Sequence, residues 1–283
     1  FVPDYPKNKA EFVSDQKFMR QLQTSLPAEA MIFQLPFVPF PESPKVGKMF
    51  DYDHARGYLH SQGLRWSYGA MQGRDDEAWQ KLLVAKPTAE LIEAVTLSGF
   101  QGLYLNREGY ADTKLESEIE AALGKPQLIS DNGRLIFFDL RSFDAQLRTK
   151  YGDQFAAKRE EALHPLLLVW VEGCSELEGP PDNLYRWCSA IGELEITNGS
   201  AQARQVKLET TFATENEATL SISGLLNEQV KTNKEPVAFS RTFTIPPGKH
   251  RIHFRSDGRR VLAPGDFRYL VFKLSNFKIM AAN

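Results

Sequence analysis

The pattern of apolar and polar positions changes once along the chain. Between residues 15 and 163, apolar runs of strand length alternate with segments whose apolar residues recur at helical spacing. After His164-Pro165 only strand-length segments follow, and in these apolar and polar residues alternate. The change predicts two domains: a mixed α/β or α+β domain over residues 1–163 and an all-β domain over residues 164–283.

The first domain is predicted to hold a mixed sheet with helices packed on it. Residues 1–6 are expected to form a linker from an upstream segment, and residues 45–75 to form a long ordered loop. The predicted helices cover residues 15–25, 88–97, 114–123 and 142–163, and the predicted strands cover residues 31–35, 102–106, 128–130 and 135–140.

The second domain is predicted to be a β-sandwich of the jelly-roll type. In one representative strand, Ile252 and Phe254 should face the core while Arg251, His253 and Arg255 face solvent. Gly- and Pro-containing turn signals separate the segments. The predicted strands cover residues 166–171, 191–197, 203–213, 218–223, 237–245, 249–255 and 268–279.

The composition is that of an ordinary globular protein, with 42% hydrophobic and 25% charged residues over a length of 283 residues. A net charge of -2 gives no general attraction to nucleic acid, so no nucleic-acid partner is predicted. No apolar run reaches the roughly 18 residues that a membrane span requires.

The two cysteines, Cys174 and Cys188, are separated by a segment rich in Gly, Pro and Glu. One interpretation is a disulfide that closes this loop, which implies an oxidising compartment. The other is a pair of free thiols in a cytosolic protein. Neither cysteine has a second Cys or His at metal-ligand spacing, so the sequence predicts no metal site and no cofactor.

The common catalytic motifs are missing from the sequence. Sequences of the P-loop, GxGxxG, HExxH and GxSxG types do not occur, and no catalytic residue is assigned. The triplet Asp51-Tyr52-Asp53 has the DxD pattern that can hold a divalent cation on a nucleotide-sugar. Too little chain precedes this triplet for a nucleotide-binding unit, so a turn or a local salt bridge is the preferred interpretation.

The segment from Asp51 to Arg74 is the part of the chain richest in candidate binding residues. Its aromatic rings can stack on the apolar faces of sugars, and its polar side chains can bind hydroxyls or a phosphate. The alternative is that the aromatic residues pack this segment onto the sheet and the charges pair locally. The candidate ligand-binding residues are Asp53, Arg56, Tyr58, His60, Arg65, Trp66, Tyr68 and Arg74.

Several segments together resemble a known family. They include FQLPFVPFPE at 33–42, YDHARGYLHSQGLRWSYGAMQGR at 52–74, GFQGLYLNREGY at 99–110, GRLIFFDL at 133–140, RWCSAIGELEITN at 186–198 and FRYLVFKLSNFKI at 267–279. This set resembles the C-terminal region of large polytopic bacterial membrane proteins described as sugar translocases, phosphoglycerol transferases or lipid-linked-sugar glycosyltransferases. The segment 52–74 is the most specific part of the resemblance.

The resemblance implies a topology and a partner. The parent chain would carry many N-terminal membrane helices, and the present domains would lie on the extracytoplasmic, periplasmic face of the bacterial inner membrane. The sandwich would be similar to a carbohydrate-binding module, and the partners would be a cell-envelope glycan or lipid-linked sugar and the membrane helices of the parent chain.

Three hypotheses about function follow. In the first, the chain is an accessory domain that binds or positions a glycan acceptor for a membrane-embedded glycosyltransferase. In the second, the chain itself transfers or hydrolyses a sugar or phosphoglycerol group, with Asp51, Asp53 and His60 as acid, base or metal ligands. In the third, it is an assembly surface for a partner protein.

Overall fold

The first element of the chain is a long helix, α1, over Tyr5–Ser25. The computed structural model describes residues 4–262 and 265–282. Helix α1 starts ten residues before the predicted helix, because the Asp4 carboxylate caps the Lys7 amide at 3.1 Å and Pro6 lies in the first turn. The predicted linker is therefore wrong for Tyr5 and Pro6, and residues 1–3 lie outside the described residues.

The chain forms two compact units, Phe1–Leu163 and His164–Asn283. Unit 1 contains a five-stranded sheet with the order β2-β1-β3-β5-β4, in which β2, β1 and β3 run parallel and β5 is antiparallel to its neighbours. These strands are β1 (Met31–Leu35), β2 (Arg65–Trp66), β3 (Gly102–Asn106), β4 (Leu128–Ile129) and β5 (Leu135–Asp139).

Six further helices complete unit 1. They are α2 (Arg56–His60), α3 (Asp75–Val84), α4 (Thr88–Leu97), α5 (Lys114–Leu123), α6 (Arg141–Tyr151) and α7 (Phe155–Leu163). The predicted helices at α4 and α5 are confirmed, whereas α2, α3 and β2 were not predicted. The single helix predicted over 142–163 is interrupted by a 3-10 turn that starts at Gly152, whose φ of 48° lies outside the helical region.

The sheet of unit 1 separates two hydrophobic cores. On one face Phe33 and Leu35 pack with residues of α3, α4 and α5. On the other face Ile32 packs with Trp66 and with residues of α1. The alternation along β1 therefore assigns one face to α1 and the other face to α3, α4 and α5.

The described residues of unit 2 form eight strands. They are β6 (Leu166–Cys174), β7 (Tyr185–Asn198), β8 (Arg204–Thr214), β9 (Ala218–Gly224), β10 (Glu228–Thr232), β11 (Val237–Ile245), β12 (Gly248–Ser256) and β13 (Phe272–Ala281). Seven of them match predicted strands, β11 with the predicted ends and the other six with shifted ends, and β10 was not predicted.

Strand β7 belongs to two layers of strands. Its residues 191–198 pair with β12, and its residues 185–188 pair with β13. One layer has the order β6-β7-β12-β9-β10, and the other has the order β7-β13-β8-β11. The hydrogen-bonded sheet is continuous through β7, which turns from one layer into the other.

The two layers enclose one hydrophobic core. The rings of Phe212 on β8 and Phe254 on β12 lie 6.1 Å apart, so side chains of both layers meet inside. At one edge, Arg241 of β11 pairs with Glu228 of β10 at 2.7 Å, which brings the last strands of the two layers together. The predicted fold class, a mixed α/β domain followed by a β-sandwich, is confirmed.

Cys174 of β6 and Cys188 of β7 are joined by a disulfide. The two residues are direct partners in the antiparallel register of these strands. Among the described residues, no helix combines the length and the apolar character needed to cross a bilayer.

Candidate functional site

The segment that follows β1 lies against the carboxyl end of β3. The Lys48 amide donates to the Glu108 carbonyl at 2.7 Å, just beyond the end of β3. This approach requires Gly47, because a Cβ atom there would lie 2.4 Å from the Glu108 oxygen and φ is +58°. The carboxyl ends of parallel strands are where α/β proteins commonly place ligand sites.

Two of the predicted binding residues are part of an internal ion-pair network. Arg56 donates from Nε to Asp53 at 3.1 Å and from Nη1 to Asp15 of α1 at 2.9 Å. Asp15 is fully buried and also accepts from Arg134 at 2.6 and 2.7 Å. The Asp53 carboxylate accepts from the Phe50 amide at 2.8 Å, which fits the turn interpretation of the DxD triplet.

Trp66 and Tyr68, which were predicted to stack on a ligand, are both only 7% exposed. Trp66 lies in the core beneath α1, and its indole donates to the Ser61 hydroxyl at 3.0 Å. Tyr68 packs with Val38 and Met49 in a smaller cluster. Neither ring is accessible for stacking on a ligand in this structure, because both side chains pack the segment onto the rest of unit 1.

Tyr58 and His60 are partly accessible but already engaged. The Tyr58 ring is 48% exposed, yet its hydroxyl lies 2.9 Å from the Trp66 carbonyl and 2.6 Å from the Tyr68 carbonyl. Burial of the hydroxyl raises the pKa of Tyr58. His60 packs against Phe12 of α1 with ring centroids 4.5 Å apart, and burial lowers its pKa.

The two remaining predicted residues are exposed arginines. Arg65 pairs with Glu29 at 2.9 Å on the surface, an interaction of the kind that contributes little stability. Arg74 immediately precedes α3. The eight predicted residues thus divide among the core, the internal network and exposed positions, and the structure does not unite them in one accessible site.

Next to the network lies a set of buried polar atoms that the sequence analysis did not identify as a group. His54 is 1% exposed, its Nε2 lies 2.7 Å from the Pro36 carbonyl, and burial lowers its pKa to about 4. The neutral ring therefore donates from Nε2. Among the described residues, its Nδ1, the Tyr104 hydroxyl, Asn106 Nδ2 and Arg134 Nε have no hydrogen-bond partner. The sequence did contain a pattern that indicates such a group: Tyr104 and Asn106 are polar residues two positions apart, on one face at the end of an apolar strand.

These atoms are enclosed and do not form an open site. Each of them is fully covered by protein, so a ligand could reach it only after the segment had moved away. In the described ranges, 4–262 and 265–282, no group of three or more His, Cys, Asp or Glu residues is placed to hold a metal ion. The network of unit 1 is therefore best understood as an element that fixes α1 and the segment 51–74 to the sheet.

Unit 2 presents a more accessible surface on the outer face of β7, β13 and β8. Lys273 lies between Trp187 and Ala213 in the strand register, whereas the next residue along β13, Leu274, faces the core. Ser275 similarly lies between Tyr185 and Thr211. Alternation along the three strands thus assembles aromatic, basic and hydroxyl side chains on one outward face.

A shallow groove of about 210 Å³ runs along this outer face. We call it the Trp187 groove; it is lined by Trp187, Thr211, Ala213, Thr214, Glu215, Lys234, Pro236, Lys273 and Ser275. Lys273 Nζ lies 4.2 Å from the centre of the Tyr185 ring, and Glu215 pairs with Lys234 at 2.8 Å at the rim. Apolar ring surface next to hydroxyl, ammonium and carboxylate groups is suited to a polyhydroxylated ligand.

The Trp187 groove was not predicted from the sequence. The predicted strand began at residue 191, whereas β7 begins at Tyr185, so Tyr185 and Trp187 were not placed on any face. The sequence pattern that indicates their orientation is strand alternation: Cys188 is buried, so Tyr185 and Trp187 should point to the opposite, outer face.

The fold and this surface define a two-unit protein, an α/β unit and a β-sandwich with an aromatic outer face. No family model and no curated protein matches the chain. Among solved structures, one titled "CBM4 structure and function" has 9% identity and a TM-score of 0.27, and covers 43% of this chain and 91% of its own. The N-terminal cellulose-binding domain of Cellulomonas fimi β-1,4-glucanase C has 12% identity and a TM-score of 0.28, with 41% and 89% covered.

A third similar structure, TmCBM61 in complex with β-1,4-galactotriose, has 10% identity and a TM-score of 0.26, and covers 42% of this chain and 89% of its own. At these values the likeness identifies neither a ligand nor a site in this chain.

Proposed function

We propose that this protein binds a glycan in the Trp187 groove of its sandwich. The observation that carries the proposal is the outward pair of rings, Tyr185 and Trp187, beside Lys273 and two hydroxyl side chains. Within the described residues, the hydroxyls of Thr211 and Ser275 donate no hydrogen bond, so both are available to a ligand.

The chemistry of the groove matches that of a sugar. The C–H face of a pyranose is apolar and stacks on an aromatic ring, while its hydroxyls require donors and acceptors around the edge. Trp187 offers the ring, Lys273 offers donors, and Glu215 offers an acceptor at the rim. Because the groove is shallow and open along the strands, it is suited to a chain of sugars that extends beyond it.

In the finer form of the proposal, the chain is the extracytoplasmic part of a membrane-embedded cell-envelope glycosyltransferase and positions its acceptor glycan. Two observations support this form. Six segments between residues 33 and 279 resemble the C-terminal region of such membrane proteins. The Cys174–Cys188 disulfide is of a kind that persists in oxidising compartments such as the periplasm.

The test compares Trp187→Ala with Phe50→Ala in the full chain. Phe50 is 72% exposed and belongs to unit 1, so its truncation removes an accessible ring outside the groove. Isothermal titration against neutral cell-envelope oligosaccharides and lipid-linked sugars should show wild-type binding that Trp187→Ala weakens about tenfold and Phe50→Ala leaves unchanged.

Circular dichroism spectra of the three proteins should coincide, since Trp187 lies outside the core. Equal affinity of wild type and Trp187→Ala would overturn the proposal, as would the absence of binding to every glycan. A loss confined to Phe50→Ala would move the site back to unit 1.

A further inference from the structure

A second concavity lies on the other side of the strands that carry the Trp187 groove. It has a volume of about 320 Å³, within the range of about 300–1,000 Å³ that is usual for small-molecule sites. We call it the Arg186 pocket; it is lined by Leu177, Pro181, Asp182, Leu184, Arg186, Leu274, Asn276, Phe277 and Lys278. Arg186 and Leu274 alternate with the groove residues Trp187 and Lys273, so they face the opposite way.

A bulge in β13 shapes this pocket. The register shifts between Ser275 and Lys278, and the extra residue Asn276 has a φ of +53°. The bulge reverses the alternation: an even pattern after Leu274 would turn Asn276 toward the core, whereas Phe277 packs against the core in its place. Asn276 and Lys278 are left exposed at the rim.

Arg186 is the most buried charged residue of the pocket. Its side chain is only 18% exposed and stacks at 5.7 Å over the Trp170 ring. Its one hydrogen bond within the described residues goes from Nη1 to the Ser175 carbonyl at 2.5 Å. The carboxylate that lies within ion-pair distance of it, that of Glu176, is 3.9 Å away and fully exposed.

This arrangement leaves the guanidinium with spare binding capacity. A guanidinium has five N–H donors, and one accepting carbonyl leaves most of them unused. Burial lowers the pKa of Arg186, which reflects the unfavourable free energy of holding this cation away from water. An oxyanion bound in the pocket would accept two of the free donors and offset that unfavourable free energy.

The rest of the pocket indicates what the oxyanion is attached to. Lys278 adds a second cation, and no carboxylate of the described residues lies within ion-pair distance of it, since its register partner Glu209 pairs with Lys207. Leu177, Leu184 and Phe277 form apolar walls, and the Asp182 carboxylate lies on the rim as a hydrogen-bond acceptor. A ligand with one anionic group, an apolar face and hydroxyls would satisfy all of these groups.

We propose that the Arg186 pocket binds an acidic monosaccharide residue, whose oxyanion pairs with Arg186 and Lys278 while Asp182 accepts from a hydroxyl. The sugar character of this ligand rests on the proposed glycan-binding function; the anionic character rests on the pocket alone. The oxyanion has two chemical sources, the carboxylate of a uronic acid and the phosphate of a sugar phosphate, and both present the same recognition chemistry.

The experiment titrates the full chain with glucuronic acid, glucose 1-phosphate, glucose and inorganic phosphate, and measures binding by ligand-observed NMR and calorimetry. We expect binding of one or both acidic sugars, about tenfold or more weaker binding of glucose, and weak binding of inorganic phosphate. Which acidic sugar binds more tightly identifies the source of the oxyanion.

Three variants and a control locate the site. Arg186→Gln should weaken acidic-sugar binding about tenfold or more, and Lys278→Gln should weaken it several-fold. Arg20→Gln removes one exposed charge from α1 in unit 1 and should leave the affinity unchanged. Because Arg186 packs on Trp170, Arg186→Lys serves as a second variant that keeps the charge but loses the planar donor set, and it should bind with intermediate affinity.

The outcomes separate this inference from the proposed function. If Trp187→Ala weakens binding of neutral glycans but leaves glucuronic acid binding intact, both sites exist and are distinct. Acidic-sugar binding that survives Arg186→Gln overturns the inference, as does a lack of binding by all four probes. Equal affinity for glucose and glucuronic acid would also overturn it, and equal affinity for inorganic phosphate would reduce the pocket to a simple anion site.

Discussion

The buried carboxylate of Asp15 should be essential for the stability of unit 1. It is fully buried on α1 and accepts hydrogen bonds from two arginines that come from distant parts of the chain, Arg134 before β5 and Arg56 in α2. We expect Asp15→Asn to destabilise unit 1 strongly, because an amide has the same shape but cannot balance two cations.

The magnitude follows from what the substitution leaves behind. The side chains of Arg134 and Arg56 are 7% and 29% exposed, so neither charge is fully solvated once its partner is neutral. Removing one partner of a buried ion pair typically lowers the free energy of unfolding by about 3–5 kcal/mol. We take the lower end, about 3 kcal/mol, because Arg56 keeps Asp53 as a partner at 3.1 Å.

The chain supplies a matched control in Asp131→Asn. Asp131 pairs with Lys17, also on α1, at 2.9 Å, but both side chains are more than half exposed. This pair should contribute at most about 1 kcal/mol.

Urea denaturation of the full chain, followed by hydrogen exchange of peptides from α1 and β5, reports on unit 1 separately from the sandwich. A loss below about 1 kcal/mol in Asp15→Asn, or equal losses in the two variants, would refute the view that the buried network holds α1 in place.

Two other outcomes are expected. The pKa of His54 is about 4 in the folded state and 6.5 in the reference state, so stability should be full above about pH 6.5 and fall as the pH is lowered through this window toward 4. Urea midpoints should show a loss of about 2 kcal/mol between pH 7.5 and pH 5 that is absent in His54→Gln; an unchanged pH profile would contradict the assignment. Reduction of the Cys174–Cys188 disulfide should lower the stability of unit 2 by about 3 kcal/mol, measured by thermal denaturation with and without reductant, and leave unit 1 unaffected.

The sandwich was predictable because its signal is local. Each strand alternates, and the pattern proposed for residues 251–255 is confirmed: Ile252 and Phe254 are buried whereas Arg251, His253 and Arg255 are exposed. Strand β10 was missed because it is a short edge strand in which Val230 is the one apolar residue. An edge strand with polar residues on both faces has no period that distinguishes it from a loop.

Two helices of unit 1, α3 and the first half of α1, were missed because their hydrophobic periodicity is weak. Helix α3 carries three acidic residues in its first turn and buries few side chains, so its apolar pattern is weak. The first half of α1 is almost entirely exposed, and the capping residue Asp4 was the one available signal. Caps and charge placement, rather than hydrophobic periodicity, identify elements of this kind.

The candidate site was harder to predict than the fold. The composition of the segment 51–74 shows that it is rich in aromatic and basic residues, but composition does not distinguish a ring that stacks on a ligand from one that packs on the sheet. Trp66 is buried because the two-residue strand β2 pairs with β1 more than thirty positions earlier in the chain, at Ile32↔Trp66. A pairing of that kind has no local signature.

The four consecutive residues at the start of β7 connect the two proposed sites with the core of the sandwich. Tyr185 and Trp187 face outward to the groove, Arg186 faces the pocket, and Cys188 is fully buried and bonded to Cys174 of β6. The disulfide and the pairing with β13 therefore hold the one strand segment on which both binding surfaces depend. A strand that is fixed on both sides keeps its aromatic and guanidinium side chains positioned before a ligand arrives, and this preorganisation lowers the entropic cost of binding at either surface. We therefore expect the Cys174–Cys188 disulfide to contribute to the affinity of both proposed sites, because it keeps this strand segment in place before a ligand binds.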